Sequence, residues 1–159
     1  MIAPGAALPA RRAGTARRIL TAAPAAPAAA VLLAAAACGS PPPPTPASIL
    51  SGTWSGTYTC AQGLTALRLT VSAAQTGKLT ATFRFSAVPS NPSVPTGSYT
   101  MTGTFTARAE TLTPGRWLHQ PAGYMLVGLH GGPPAHGGTV LTGKVTSSGC
   151  TTFSLKKKS

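Results

Sequence analysis

The stretch Lys78-Leu79-Thr80-Ala81-Thr82-Phe83-Arg84-Phe85-Ser86 decides the fold class. Apolar and polar residues alternate along it without a break: Leu79, Ala81, Phe83 and Phe85 fall on one face, Thr80, Thr82 and Arg84 on the other. Successive side chains of an extended chain point to opposite faces, so this is a strand with one buried and one wet face. The next segment repeats the pattern, with Tyr99, Met101, Gly103 and Phe105 opposing Ser98, Thr100, Thr102 and Thr104.

Outward from this pair, the same period of two runs from Ile49 to Leu155, punctuated by Gly and Pro, and no helical stripe interrupts it. The pattern predicts strands over 53–60, 66–73, 78–86, 98–107, 110–113, 124–130, 139–146 and 151–157. Eight short strands joined in sequence predict an all-β domain over 49–159, an eight-stranded antiparallel up-and-down meander barrel, with a β-sandwich as the alternative. Cys60 would end the first strand and Cys150 open the last. In a closed meander those strands lie side by side and antiparallel, so a Cys60–Cys150 disulfide would staple the closure. The chain-entropy model assigns roughly 4 kcal/mol to a loop of about 90 residues, and such a bond needs an oxidising compartment.

Upstream of the domain, Arg11, Arg12, Arg17 and Arg18 precede an alanine-rich apolar run over 19–37 that stops at Cys38-Gly39-Ser40. Basic residues ahead of an apolar run and small residues at its end define a secretory signal, here 1–37. A spanning helix is disfavoured by Pro24 and Pro27, which break helical hydrogen bonding inside a run of modest hydrophobicity. Ala35-Ala36-Ala37-Cys38 resembles the lipobox of bacterial lipoproteins. That resemblance implies cleavage before Cys38, lipidation of Cys38 by palmitate-type chains and an extracytoplasmic, membrane-anchored protein; plain secretion is the alternative. Residues 38–48, rich in proline, are expected to form an extended linker that builds no helix, because proline has no amide to donate.

Charge narrows the function classes. The 159 residues hold 13 Lys and Arg against 1 acid, a formal charge of +12. With Glu110 as the sole carboxylate, paired-carboxylate glycosidases, aspartic dyads and acidic metal cages are excluded, since each needs at least two acids. Cleavage before Cys38 would take four arginines with it and leave 122 residues at +8. These cations are dispersed except for Lys156, Lys157 and Lys158, which read as a solubilising tail, so no nucleic-acid partner is expected. A polyanionic glycan or lipid bound by such a domain would be released by salt.

In a meander alternate connections gather at one end, here 61–65, 87–97, 114–123 and 147–149. They bring Gln62, Asn91, Arg116, Trp117, His119 and Gln120 together, with Tyr124 at the rim. Aromatic walls with a few amides predict a binding mouth for a small ligand, glycan or envelope protein. The competing reading is that Trp117 and Tyr124 plug the barrel, the amides cap loop backbone and the role is structural. No catalytic constellation, metal site or cofactor motif is found: no G-x-S-x-G elbow is present, and Glu110 and His119 belong to opposite ends. His130 and His136 share a glycine-proline loop with no further ligand. A hydrolase or isomerase using His119 is the remaining enzymatic alternative.

The unit opens on Gly52-Thr53-Trp54, and a G-x-W at the first strand is shared by lipocalins and avidins, the calycin-like barrels. Residues 54–63, 91–99, 117–124 and 150–153 resemble an uncharacterised family of bacterial secreted and lipoprotein β domains. The resemblance implies a compact β domain and no activity. In lipocalins a basic residue near the end of the last strand packs on the tryptophan, which points to Lys156.

Overall fold

A computed structural model describes residues 42–159; the expected signal segment 1–37, Cys38 and the linker up to residue 41 lie outside the described residues. Eight strands close in sequence order into an antiparallel meander barrel: β1 (Gly52–Cys60), β2 (Gly63–Ala73), β3 (Lys78–Ser86), β4 (Gly97–Phe105), β5 (Glu110–His119), β6 (Leu129–Gly131), β7 (Val140–Val145) and β8 (Thr152–Lys157). The barrel, not the sandwich, is the fold. Alternation does what the sequence requires of it: Leu79, Ala81, Phe83, Phe85, Tyr99 and Met101 are all buried. One inward row crosses five strands, Trp54 beside Leu69, then Phe83, Tyr99 and Trp117. Each large apolar side chain buried in that row contributes on the order of 2 kcal/mol.

The seam between β1 and β8 is close, since a Cβ at Gly56 would collide with the Ser154 carbonyl and with Leu155 Cα. Cys60 and Cys150 are joined as a disulfide at one end of this seam, across a sequence separation of 90.

Three expectations need correction. First, the linker contributes a short helix, α1 (Pro46–Leu50). Pro46 occupies the first turn, where an amide would have no intrahelical partner in any case, and the Thr45 side chain caps the Ser48 amide at 3.2 Å. Ala47 and Leu50 are buried, so the folded unit begins at Thr45 and not at Ile49.

Second, β5 continues through Pro114 to His119, beyond the expected 110–113. Only Glu110–Leu112 pair with β6, and register shifts interrupt the pairing of Ser98–Met101 with this part of β5. Proline is tolerated at such bulges and edges because no ladder depends on its missing amide.

Third, β6 is three residues long, and 124–128 runs as irregular chain. The Tyr99 hydroxyl stands in for the ladder there, donating to the Val127 carbonyl at 2.8 Å and accepting from the Val127 amide at 3.4 Å.

Candidate functional site

Chain parity sets the two ends apart. Turns 74–77 and 106–109, the connection 132–139 and α1 share the end where β1 begins. There the last carbonyls of α1, which a helix end leaves without partners, are all satisfied. The Ser51 amide donates to Ala47 O at 3.0 Å, and Lys157 Nζ donates to Ser48 O at 3.3 Å and to Ile49 O. Trp54 Nε1 donates to Leu50 O at 2.9 Å. The Lys157 ammonium also lies 5.4 Å from the Trp54 ring centroid. The residue on the tryptophan is therefore Lys157 and not Lys156. Lys157 pairs directly with Trp54 in register, whereas Lys156 pairs with Ser55 and points outward by alternation.

Glu110 starts β5 at this same end and His119 finishes the strand at the other, so the two cannot cooperate. Glu110 is 3% exposed and its Oε1 has no hydrogen-bond partner. Burial pushes its pKa up to about 7, against a smaller lowering by its own backbone amide.

At the opposite end, where 61–62, 87–96, 120–128 and 146–151 connect the strands, residues of the first, third and fourth of these connections line a cavity of about 260 Å³. Its wall is made by Tyr58, Phe85, Tyr99, Tyr124, Met125 and Val127, with Gln62, Ser147, Ser148 and the Cys60–Cys150 disulfide at the rim. Phe85 and Tyr124 stack at 5.2 Å, and Tyr58 meets the edge of Phe83 at 5.3 Å. Gln62 Nε2 donates to the Tyr58 hydroxyl at 3.1 Å and to Thr65 Oγ1 at 3.3 Å.

Burial raises the Tyr58 pKa, with Tyr124 adding to the shift and hydrogen bonds from Thr65 and Gln62 opposing it. Burial likewise raises Tyr99, opposed by its bond to Val127. Both phenols therefore stay neutral donors and acceptors across the physiological range. No charged side chain lines the cavity.

Of the seven residues expected at the mouth, Gln62 and Tyr124 line this cavity. Asn91 does not: its Nδ2 donates to the Gln62 and Leu64 carbonyls and pins the β1–β2 turn. Gln120 caps the Tyr124 carbonyl at 3.3 Å. Arg116, Trp117 and His119 belong to β5 and not to a connection. Trp117 turns inward to meet Tyr99 edge-on at 5.2 Å, while the Arg116 amide is held by Thr100 Oγ1 at 3.0 Å and His119 is exposed. His130 lies on β6, its Nδ1 3.0 Å from Thr111 Oγ1. Among the described residues no group of three His, Cys, Asp or Glu side chains is placed to hold a metal.

Residues outside the expected set build most of the wall. Tyr58 and Tyr99 were legible as inward positions of their strands, but nothing local says that their hydroxyl ends reach a void. Met125 and Val127 enter the wall because 124–128 leaves the ladder. No family model matches this chain, and no match is found among curated proteins or solved structures.

Proposed function

We propose that the protein is an exported β-barrel, lipid-anchored through Cys38, that binds a small uncharged ligand in the cavity beside the Cys60–Cys150 disulfide. The cavity itself carries this reading: its wall is aromatic, its polar groups are neutral phenols, an amide and two serines, and it has no charge. At about 260 Å³ it lies just below the usual range for small-molecule pockets, so it suits a compact, largely apolar molecule with one or two hydrogen-bonding groups. Below it the lumen is filled by Phe83, stacked on Tyr99 at 4.7 Å, which limits the ligand to the mouth. Export is supported by the arginine-led apolar segment ending at Cys38 and by a disulfide that persists only in an oxidising compartment.

Ligand-observed NMR on the full chain with indole, p-cresol and cyclohexanol as probes tests the binding. Saturable binding of at least one probe is expected, weakened tenfold or more by Tyr124→Ala, which removes the ring stacked on Phe85. Absence of binding by all three, or binding untouched by that substitution, contradicts the reading.

A further inference from the structure

One register step from the inward aromatic row runs an outward row of different chemistry: Lys156 opposite Ser55, then Arg68, Arg84, Ser98 and His119. Arg68 and Arg84 are direct cross-strand partners and both are exposed. Residues so paired have Cβ atoms about 5 Å apart, and like charges placed there destabilise the sheet. The usual remedy is a neighbouring carboxylate, and this chain cannot supply one. Its single acid, Glu110, is buried at the start of β5.

Alternation does not demand the arginines either. It asks only for polar side chains, and the adjoining outward positions on β2, β3 and β4 are Thr70, Ser72, Thr80, Thr82, Thr100 and Thr102. Two guanidiniums thus stand side by side on a surface made mostly of hydroxyl side chains, with Lys78 at the far end of β3. Beside them the wall is hollow: Ser55, Ala66, Arg68, Arg84 and Ser86 edge a shallow depression of about 280 Å³. Small side chains at Ser55, Ala66 and Ser86 leave the floor open, and the two serines add hydroxyl donors.

We infer that this depression on the outer wall of β1–β3 is an oxyanion site, with Arg68 and Arg84 clamping a phosphate group and the Ser55 and Ser86 hydroxyls completing its contacts. The planar guanidinium fork matches tetrahedral oxyanions bidentately, which an ammonium does not. A bound phosphate or phosphodiester anion relieves the Arg68–Arg84 repulsion, and Lys156 beyond Ser55 adds a longer-range attraction. The site is separate from the uncharged cavity at the mouth, so the salt sensitivity expected of a basic domain belongs to the outer wall and not to the cavity.

Free phosphate and the phosphodiester of an anionic lipid headgroup share this chemistry. Calorimetric titration of the full chain at low ionic strength, with inorganic phosphate and separately with glycerophosphoglycerol, separates them. Binding is expected for at least one probe, weakened at least tenfold in the Arg68→Gln/Arg84→Gln double variant and by added chloride. The Lys78→Gln/Lys144→Gln double variant removes the same charge from elsewhere on the barrel and is expected to shift affinity less than twofold. Tighter phosphate binding identifies the free anion as ligand; equal or tighter diester binding identifies the headgroup. Circular dichroism confirms that all variants are folded. Binding of neither probe, or equal losses in the two double variants, overturns the assignment.

Discussion

The two ends of the barrel are closed by different means, and the difference explains why the disulfide end surrounds a cavity. Where β1 begins, chain from upstream of the barrel folds into α1 and buries Ala47 and Leu50. Trp54 and Lys157 then satisfy its last carbonyls. Where β1 ends, no such segment arrives among the described residues. The strands are stapled by Cys60–Cys150, and loops surround a void lined by Tyr58 and Tyr124. A noncovalent plug fills space as it closes; a covalent staple closes the seam without filling it.

The largest break in this contrast should come from Trp54→Ala. It empties a fully buried site and frees the Leu50 carbonyl, so chemical denaturation should show a loss of about 3–5 kcal/mol. Replacing both Cys60 and Cys150 with Ser should cost a comparable amount, up to roughly 4 kcal/mol, and reduction of the unaltered chain should cost a similar amount.

Glu110 makes the plugged end sensitive to pH. Its folded pKa of about 7 lies above the ordinary 4.5, so between those values the folded state holds a proton that the unfolded chain has released. Glu110's contribution to stability should therefore be fully present below about pH 4.5, fall across the window by roughly 3 kcal/mol, and level off above pH 7. Glu110→Gln should flatten that profile and stabilise the protein at pH 8.

Lys157→Met should cost about 1–2 kcal/mol, since it loses charge-assisted hydrogen bonds and the contact with Trp54 while keeping the aliphatic stem. Lys156→Met, one residue away on the outer wall, should stay within about 0.5 kcal/mol.

The barrel was legible because its signal is periodic. Alternation at Leu79, Ala81, Phe83 and Phe85 fixes which face is buried, and strand order with two cysteines at matching ends fixes how the sheet closes. Departures from the expected strands arise where a distant side chain replaces a local rule. The segment 124–128 carries a strand-like pattern, yet Tyr99, 28 residues upstream of Val127, takes both of Val127's backbone bonds. Proline at the linker's end looked like a helix breaker, but at the first turn of a helix it is neutral, and a tertiary partner at Lys157 makes five residues of α1 worth forming.

The candidate mouth was legible as an end of the molecule and less so as a set of contacts. Of the four connections that parity gathers, 61–65, 114–123 and 147–149 reach the cavity and 87–97 does not, and of the expected residues Gln62 and Tyr124 line it. Asn91 and Gln120 instead serve loop carbonyls, because a buried or half-buried carbonyl left unpaired costs more than an exposed amide gains. Trp117 sits on a strand longer than the pattern suggested, and the register shift between Pro114 and Trp117, not simple alternation, turns it into the aromatic row.

The most direct test of the account is a methyl chemical-shift map of the full chain titrated in turn with indole, p-cresol and cyclohexanol at 0.1 and 0.5 M salt, read for whichever probes bind. Saturable shifts of Met125 and Val127, unchanged by salt and absent at Leu50, are predicted by an uncharged cavity at the disulfide end alone. Shifts at Leu50, or none at Met125 and Val127, would contradict it.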